Sequence, residues 1–191
     1  MSAIDQSVLS LAQSLTGTLN GVRANDGSGG QWPPHGEHVV VVEGFTLKPE
    51  KVKYGPKGQN PQEADGFSAR FTYRLYHDKS KPGYDPKSGD YLEFLGSPMT
   101  FMPGWEKLGD KEQTRFRMSA ERFIQSAVVL LGLPEDQCKN PVAVLPKIVA
   151  AVATKPSVSL FCEHRENTQN GETKVYKTDF IRELLNGQVS A

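Results

Sequence analysis

The sequence predicts a mainly β protein with helices, and three observations support this prediction. Residues 67–75 alternate apolar and polar side chains, which is the pattern of a half-buried strand. Asn170 and Gly171 separate two β-prone segments and form the strongest short hairpin signal in the chain. Between the alternating strand and this hairpin, residues 119–153 carry the capping residues and the apolar spacing of helices. With 191 residues, the chain can bury one sizeable core but is short for two full domains.

Residues 1–24 are predicted to form an amphipathic helix. Steps of three or four place their apolar residues on one stripe: Ile4, Val8, Leu11, Leu15, Leu19 and Val22. Residues 25–35 begin with Asn-Asp-Gly-Ser-Gly-Gly and are predicted to be a flexible linker. A short helix on a linker is marginal alone. The stripe is therefore expected to pack on its own chain, on a second copy or on another protein.

Strands are predicted for the first part of the remaining chain, residues 36–186. Residues 38–44 contain four successive valines, which favour burial on both faces, and the strand continues through residues 45–53. Gly44 is the position where this long strand could bulge. Further strands are predicted at residues 67–77, 91–95 and 99–102.

Two helices and a closing hairpin are predicted next. Ser119 is expected to cap a helix that Gly132 ends, with Phe123, Ala127, Leu130 and Leu131 facing inwards. Asn140 and Pro141 begin a second helix that reaches about residue 153. Residues 157–164 and 172–178 are predicted to pair around a turn at 166–171. A final helical turn or two is expected at residues 179–186.

The order of these elements is three strands, a helical insertion and a hairpin. An OB fold, a five-stranded Greek-key barrel with a helix between strands three and four, has this order. The prediction is therefore an OB-like barrel domain at residues 36–186 with a helical insertion at 119–153.

Composition narrows the function classes. The formal net charge is zero, so any attraction to nucleic acid must come from local charge patterning. No run of about 18 apolar residues predicts a transmembrane helix. The N-terminus also lacks the basic region and apolar core of a signal peptide. Cys138 and Cys162 have no CxxC spacing and are interpreted as reduced, buried thiols, although one disulfide stays possible. Together these features favour the cytoplasm.

Five segments together carry a recognisable pattern: residues 36–43 (GEHVVVVE), 67–75, 120–134 (AERFIQSAVVLLGLP), 158–163 and 173–176. They resemble a group of phage and prophage OB-fold proteins that are thought to bind single-stranded DNA in recombination or replication. The resemblance spans roughly residues 36–178 and is one of pattern. It implies a non-enzymatic, single-stranded DNA-binding function. Two features depart from the group: the chain ends in LLNGQVSA where many such proteins have an acidic tail, and it carries the amphipathic N-terminal segment.

Single-strand binding requires cations for phosphates and exposed aromatic faces for bases. Two groups of residues could supply them. The first group lies in or before the alternating strand: Lys48, Lys51, Lys53, Arg70, Arg74 and Tyr76. Residues 48–81 contain eight Lys or Arg and four Asp or Glu, an excess of about four positive charges. The second group lies on the closing hairpin: Phe161, Arg165, Lys174 and Tyr176.

Other interpretations remain open at this point. Alternating Arg and Thr on a strand can be only its solvated side, and loop lysines commonly serve solubility. A rival function is a protein-binding phage accessory, structural or counter-defence factor that uses the barrel and the N-terminal helix. A third is a metal-dependent nuclease that uses the Glu-x-Lys spacing of Glu172 and Lys174. Because P-loop, GxGxxG, HExxH and GxSxG motifs are absent, we expect no enzyme, no cofactor and no metal site.

Overall fold

The protein is an antiparallel six-stranded sheet with helices packed against it. The computed structural model describes residues 6–15, 31–55, 60–76, 91–169 and 172–185. Its elements are α1 (Gln6–Leu15), β1 (Gln31–Tyr54), β2 (Gln62–Tyr76), β3 (Tyr91–Leu95), β4 (Met99–Phe101), a 3₁₀ turn (Trp105–Lys107), α2 (Asp110–Leu131), α3 (Glu135–Cys138), α4 (Pro141–Val152), β5 (Ser157–Gln169) and β6 (Glu172–Leu184). The prediction of a mainly β protein with helices is confirmed.

The strands pair in the order β3-β2-β1-β5-β6, and β4 also pairs with β2. The 24-residue β1 lies at the centre, because it pairs with β2 along one edge and with β5 along the other. All five ladders are antiparallel. Within the described residues, no ladder joins β6 to β3 or β4. The two ends of the sheet are therefore not linked by backbone pairing.

A bulge divides β1 into two halves. The register with β2 shifts between Val42 and Gly44, at the glycine that the sequence predicts as a bulge site. The strand stays continuous across the shift, so both predicted segments form one element. Val40, Val41 and Val42 are buried, but Val39 is 46% exposed. The expectation that all four valines are covered is therefore wrong, since nothing described packs over the outer face at Val39.

The alternation predicted for β2 is confirmed. Its inward side chains are almost fully buried, and they are Phe67, Ala69, Phe71, Tyr73 and Leu75. Aromatic rings on this face of β2 pack against β4, whose ring in turn contacts α2. The ring of Phe67 stacks on Phe101 at 4.8 Å, and Phe101 meets Phe123 of α2 edge-on at 5.6 Å. These contacts join β2, β4 and α2 in one core.

Helix α2 begins at Asp110, well before the predicted cap at Ser119. The residues before Ser119 are mostly charged or polar, so they resemble a loop in sequence, but they form the first turns of a long helix in which Phe116 is buried. Ser119 lies inside the helix, where its hydroxyl accepts a hydrogen bond from the Thr100 amide at 3.1 Å. The predicted end at Gly132 is confirmed by its left-handed φ of 62°. None of the helices in the described ranges is long and apolar enough to cross a membrane.

The second predicted helix also begins as expected. The Asn140 side chain accepts a hydrogen bond from the Ala143 amide at 3.3 Å, and Pro141 occupies the first turn of α4. The helix that was expected at residues 179–186 is instead part of β6, which runs to Leu184. There, Phe180 and Ile181 continue the ladder with β5. Backbone pairing with a neighbouring strand decides this segment, and local sequence does not reveal it.

The predicted N-terminal helix is confirmed over Gln6–Leu15. Val8 and Ala12 are fully buried, and α1 contacts α4, β1 and β2 of the same chain. Of the three alternatives for the apolar stripe, the structure thus shows packing on the same chain at Val8. Ile4, Leu19 and Val22 lie outside the described residues, as do residues 25–30 of the predicted linker. The strand β1 begins at Gln31, inside the range predicted as linker.

Gly66 lies where β1, β2 and β4 pack closely together. A methyl group at this position would meet the carbonyl oxygen of Phe101 and lie 2.5 Å from Cγ2 of Val52. We expect Gly66→Ala to lower the free energy of unfolding by about 2 kcal/mol, because overpacking a rigid core forces backbone shifts. Urea denaturation followed by tryptophan fluorescence measures the change.

Gly44→Ala is the matched control, since a methyl group there would be 3.5 Å from Thr72, an ordinary contact. We expect it to change stability by less than about 1 kcal/mol. Equal losses for the two variants would show that close packing at Gly66 is not the cause.

Candidate functional site

A groove of about 620 Å³ lies between α2 and the β5–β6 hairpin, beside the segment that joins β3 to β4. The hairpin contributes Arg165 and Tyr176, and α2 contributes Arg115 and Arg122. Within the described part of the chain, every charged residue that lines this groove is an arginine. The groove is therefore a local basic surface on a protein whose net charge is zero.

Arg165 and Tyr176 lie directly opposite each other on β5 and β6, so their side chains share one face of the hairpin. The side chain of Arg165 is 61% exposed, and Tyr176 is 53% exposed. The sequence predicts both as binding residues, and the structure brings them together. An exposed ring beside a cation is the arrangement that binds a base and its phosphate.

Arg122 forms the floor of the groove. It is buried, and its Nη2 donates to Oδ1 of Asp179 at 2.7 Å and to the Ser97 carbonyl at 3.1 Å. Its Nε donates to the backbone carbonyl of Asp179 at 3.0 Å. These bonds occupy the guanidinium with groups from both ends of the sheet. Arg122 therefore supports the site and is not a free phosphate contact.

The Asp179 carboxylate completes this buried network. Its Oδ1 accepts from the Ser97 amide at 2.6 Å, and its Oδ2 accepts from the Tyr73 hydroxyl at 2.8 Å. Burial, followed by the Asp179 charge and this hydrogen bond, raises the pKa of Tyr73 well above its usual value. Tyr73 thus remains a protonated donor. The carboxylate links β2, the β3–β4 connection and α2 to β6.

A second carboxylate lies behind the groove without such partners. Glu163 is 1% exposed and lies opposite Thr178, a groove residue. Its Oε1 accepts no hydrogen bond within the described ranges, and the nearest cation is Nε of Arg165 at 3.7 Å. Burial raises the pKa of Glu163, while the charges of Arg165 and Arg122 act in the opposite direction. Glu163 is therefore a buried acid that forms a long ion pair with an exposed arginine but accepts no hydrogen bond at Oε1 in the described ranges.

The other predicted cations are arranged differently. Lys51 pairs with Asp65 at 2.6 Å, Lys53 with Glu63 at 3.4 Å, and Arg74 with Glu43 at 3.2 Å. Lysines 51 and 53 lie directly opposite their partners in the β1–β2 ladder. Carboxylates on neighbouring strands thus pair with three of the predicted cations, and one of these carboxylates, Glu43, lies outside residues 48–81.

The remaining predicted residues do not line this groove. Lys48 and Arg70 have no ion pair within the described chain, and they face Ser68 and Thr46 in the ladder. Tyr76 is opposite Tyr91 at the end of β2, and Lys174 is opposite Asn167 in the hairpin. The side chains of Tyr76 and Lys174 lie outside the described parts.

Phe161 is half-buried because Arg182 covers it. The guanidinium carbon of Arg182 lies 4.1 Å from the ring centroid, and its Nη1 binds Oε1 of Glu37 at 3.1 Å. The expected exposed ring is therefore stacked on a cation of its own chain. A base could stack there only after Arg182 moves.

Sequence reasoning does not identify Arg115, Arg122, Glu163 or Asp179 as site residues. Asp179 is the first residue of the segment that the sequence predicts as a closing helical turn. Arg122 lies among helical apolar residues with no local partner. A charged residue in a buried segment is the available signal, since such a charge requires a partner distant in sequence.

Metal and thiol chemistry find little support at this site. No group of three or more His, Cys, Asp or Glu residues in the described ranges is placed to hold a metal ion. The side chains of Glu172 and Lys174, which suggested a nuclease, lie outside the described parts. Both cysteines are buried and free of disulfides, and burial raises the pKa of Cys162 to about 12. That thiol is a core residue.

Comparisons with known proteins give no relative for this chain. A scan against protein-family models, a search of curated proteins and a search of solved structures each find no match.

The buried ion pair makes a strong prediction about stability. We expect Arg122→Met to lower the free energy of unfolding by about 3–5 kcal/mol, because it leaves the Asp179 carboxylate buried without its counter-charge. Arg117→Met, on the exposed side of the same helix, is the control and is expected to stay within about 0.5 kcal/mol of the wild type. Chemical denaturation compares the two. Similar values would mean that the Arg122–Asp179 pair does not hold the fold together.

Glu163 makes a prediction about pH. Its pKa is higher in the folded chain than in the unfolded chain, so the folded state loses stability as the pH rises through the folded-state pKa. We expect Glu163→Gln to raise the melting temperature at pH 7 and to have little effect near the ordinary carboxyl pKa of about 4. Thermal melts between these pH values follow the difference.

Glu183→Gln on the exposed part of β6 serves as the control and is expected to change neither value. A Glu163→Gln protein that melts lower than the wild type at pH 7 would instead show that attraction to Arg165 and Arg122 outweighs the effect of burial.

Proposed function

We propose that this protein binds single-stranded DNA with little sequence preference, in the cytoplasm, as part of replication or recombination. The observation that carries the proposal is the exposed pair of Arg165 and Tyr176 at the mouth of a groove whose charged lining is arginine. Phosphates and base faces occur in every nucleotide. A site made of one cation beside one ring therefore binds a strand without reading its sequence.

The distribution of charge supports this choice of surface. Asp179 neutralises Arg122 from below, and Arg165 lies 3.7 Å from the buried Glu163, whereas Arg115 is exposed and pairs with no carboxylate of the described ranges. On the β1–β2 surface, by contrast, cross-strand carboxylates compete for the lysines. A polyanion gains more from a cation that no carboxylate pairs with, and Arg115 is such a cation at the groove. The groove therefore combines a cation available to a phosphate with the exposed ring of Tyr176.

An OB-like barrel is part of the same proposal. The strand path supports it: β2, β1, β5 and β6 follow one another as strands two, one, four and five of that fold do, and β3 and β4 share the place of strand three. The helices α2 to α4 occupy the insertion between strands three and four. Such barrels commonly bind oligonucleotides through one strand face and adjoining loops.

Binding can be measured by fluorescence anisotropy with a labelled oligo-dT of about 30 nucleotides at low and moderate salt. We expect binding that weakens as salt rises, because phosphate contacts release counterions. Tyr176→Ala is expected to weaken it about fivefold or more, since stacking on one aromatic ring contributes about 1–3 kcal/mol per base. Arg165→Gln is expected to lower the salt slope by about one.

The double variant Arg70→Ala/Arg74→Ala is the comparison, because both arginines lie on β2 away from the groove. We expect it to bind nearly as the wild type does. Loss of binding in this variant with full binding in Tyr176→Ala would move the site to the β2 face. A folded wild-type protein that binds no oligonucleotide at low salt would refute the function and favour a protein partner.

A further inference from the structure

A second groove, of about 800 Å³, lies between the first turns of α2 and the end of β1. The end of β1 contributes Lys53 and Tyr54, and α2 contributes Lys111, Arg115 and Phe116. Cations and aromatic residues thus line it as they line the first groove. The proposed site at Arg165 and Tyr176 does not use Tyr54 or Lys111.

Arg115 lines both grooves, so the two share a boundary along α2. Its side chain is exposed, and Nη1 reaches the Lys53 carbonyl at a long 3.4 Å. Its guanidinium carbon lies 5.5 Å from the ring of Phe116. No carboxylate in the described chain pairs with Arg115. It is therefore a cation that an incoming phosphate can bind from either groove.

We propose that the second groove binds the continuation of the same single strand, with Arg115 contacting the phosphate between the two grooves. Lys111 contacts a phosphate further along, and the half-buried Tyr54 stacks on a base at the far end. This inference depends on the proposed single-strand function and extends it, because it defines a path across α2. The path predicts that affinity depends on the length of the strand.

The charges of the second groove fit a strand that passes over it. Its lining contains three cations and two acids, and Glu112 is occupied because its Oε1 accepts from the Gly55 amide. Lys53 is shared with Glu63, whereas Lys111 has no ion pair in the described ranges. Lys111 is therefore the cation most available there.

The start of α2 has opposing effects on an anion, because Asp110 and Glu112 lie in the first turn beside its amide groups. Gly109, the residue before the helix, has no side chain to cap the first amide groups, and it lines the groove with Asp110 and Lys111. Free amide groups at a helix start favour a nearby anion. Phe116 is 2% exposed, so it supports the groove and leaves Tyr54 as the ring that a base can reach.

The test compares a short and a long oligonucleotide, because OB folds bind from about 4 to 16 nucleotides. Labelled oligo-dT of about 5 and about 20 nucleotides is titrated with full-length protein at low salt. We expect Lys111→Ala to weaken the long strand about threefold to tenfold and to leave the short strand unchanged. Arg165→Ala is expected to weaken both.

Arg117→Ala is the matched control, since Arg117 is exposed on α2 and lines neither groove. Lys111 is exposed as well, so neither substitution disturbs the core. Long-strand binding unaffected by Lys111→Ala, or an equal loss at both lengths, would overturn the path across α2 while leaving the first groove intact. If the wild type binds neither length, the single-strand function and the path both fail.

Discussion

The ion pair between Arg122 and Asp179 is the interaction on which the rest of the structure depends. Within the described residues, the two ends of the sheet share no backbone ladder, so other groups must hold them together. The Asp179 carboxylate accepts hydrogen bonds from the Tyr73 hydroxyl and the Ser97 amide. Arg122 donates to the backbone carbonyls of Ser97 and Asp179. Each donor compensates the desolvation of the buried acid. Side chains thus complete a connection that backbone hydrogen bonds leave open.

The groove is a consequence of this connection. Because Arg122 holds α2 against β6, the next residues towards the start of α2 face the exposed end of the hairpin. Arg115 then lies across the groove from Arg165 and Tyr176. A neutral protein thereby presents a local cationic surface, since Asp179 neutralises the buried arginine and Arg115 pairs with no carboxylate of the described ranges. Structure and electrostatics are coupled through one residue pair.

Much of the local structure could be predicted because it depends on neighbours in the chain. The alternation of residues 67–75 requires only the two-residue period of a strand, and Gly44, Gly132 and Asn140 act on their own backbone. Prediction fails at Ser119, which the sequence predicts to cap a helix, and at Asp179, the first residue of a predicted helical turn. Their oxygen atoms instead bind amides of β4 and of the β3–β4 connection, which no local pattern encodes.

The sequence by itself determined the alternating strand at residues 67–75, the end of α2 at Gly132 and the start of α4 at Asn140. It placed the hairpin turn at residues 166–171, whereas β5 continues to Gln169, so the structure decided the pairing of Arg165 with Tyr176. Only the tertiary structure decided which cations are available. Lys51, Lys53 and Arg74 meet carboxylates on other segments, while Arg115 reaches the groove because α2 crosses the sheet. Charge is read from the sequence one residue at a time, but its neutralisation depends on contacts between distant parts of the chain.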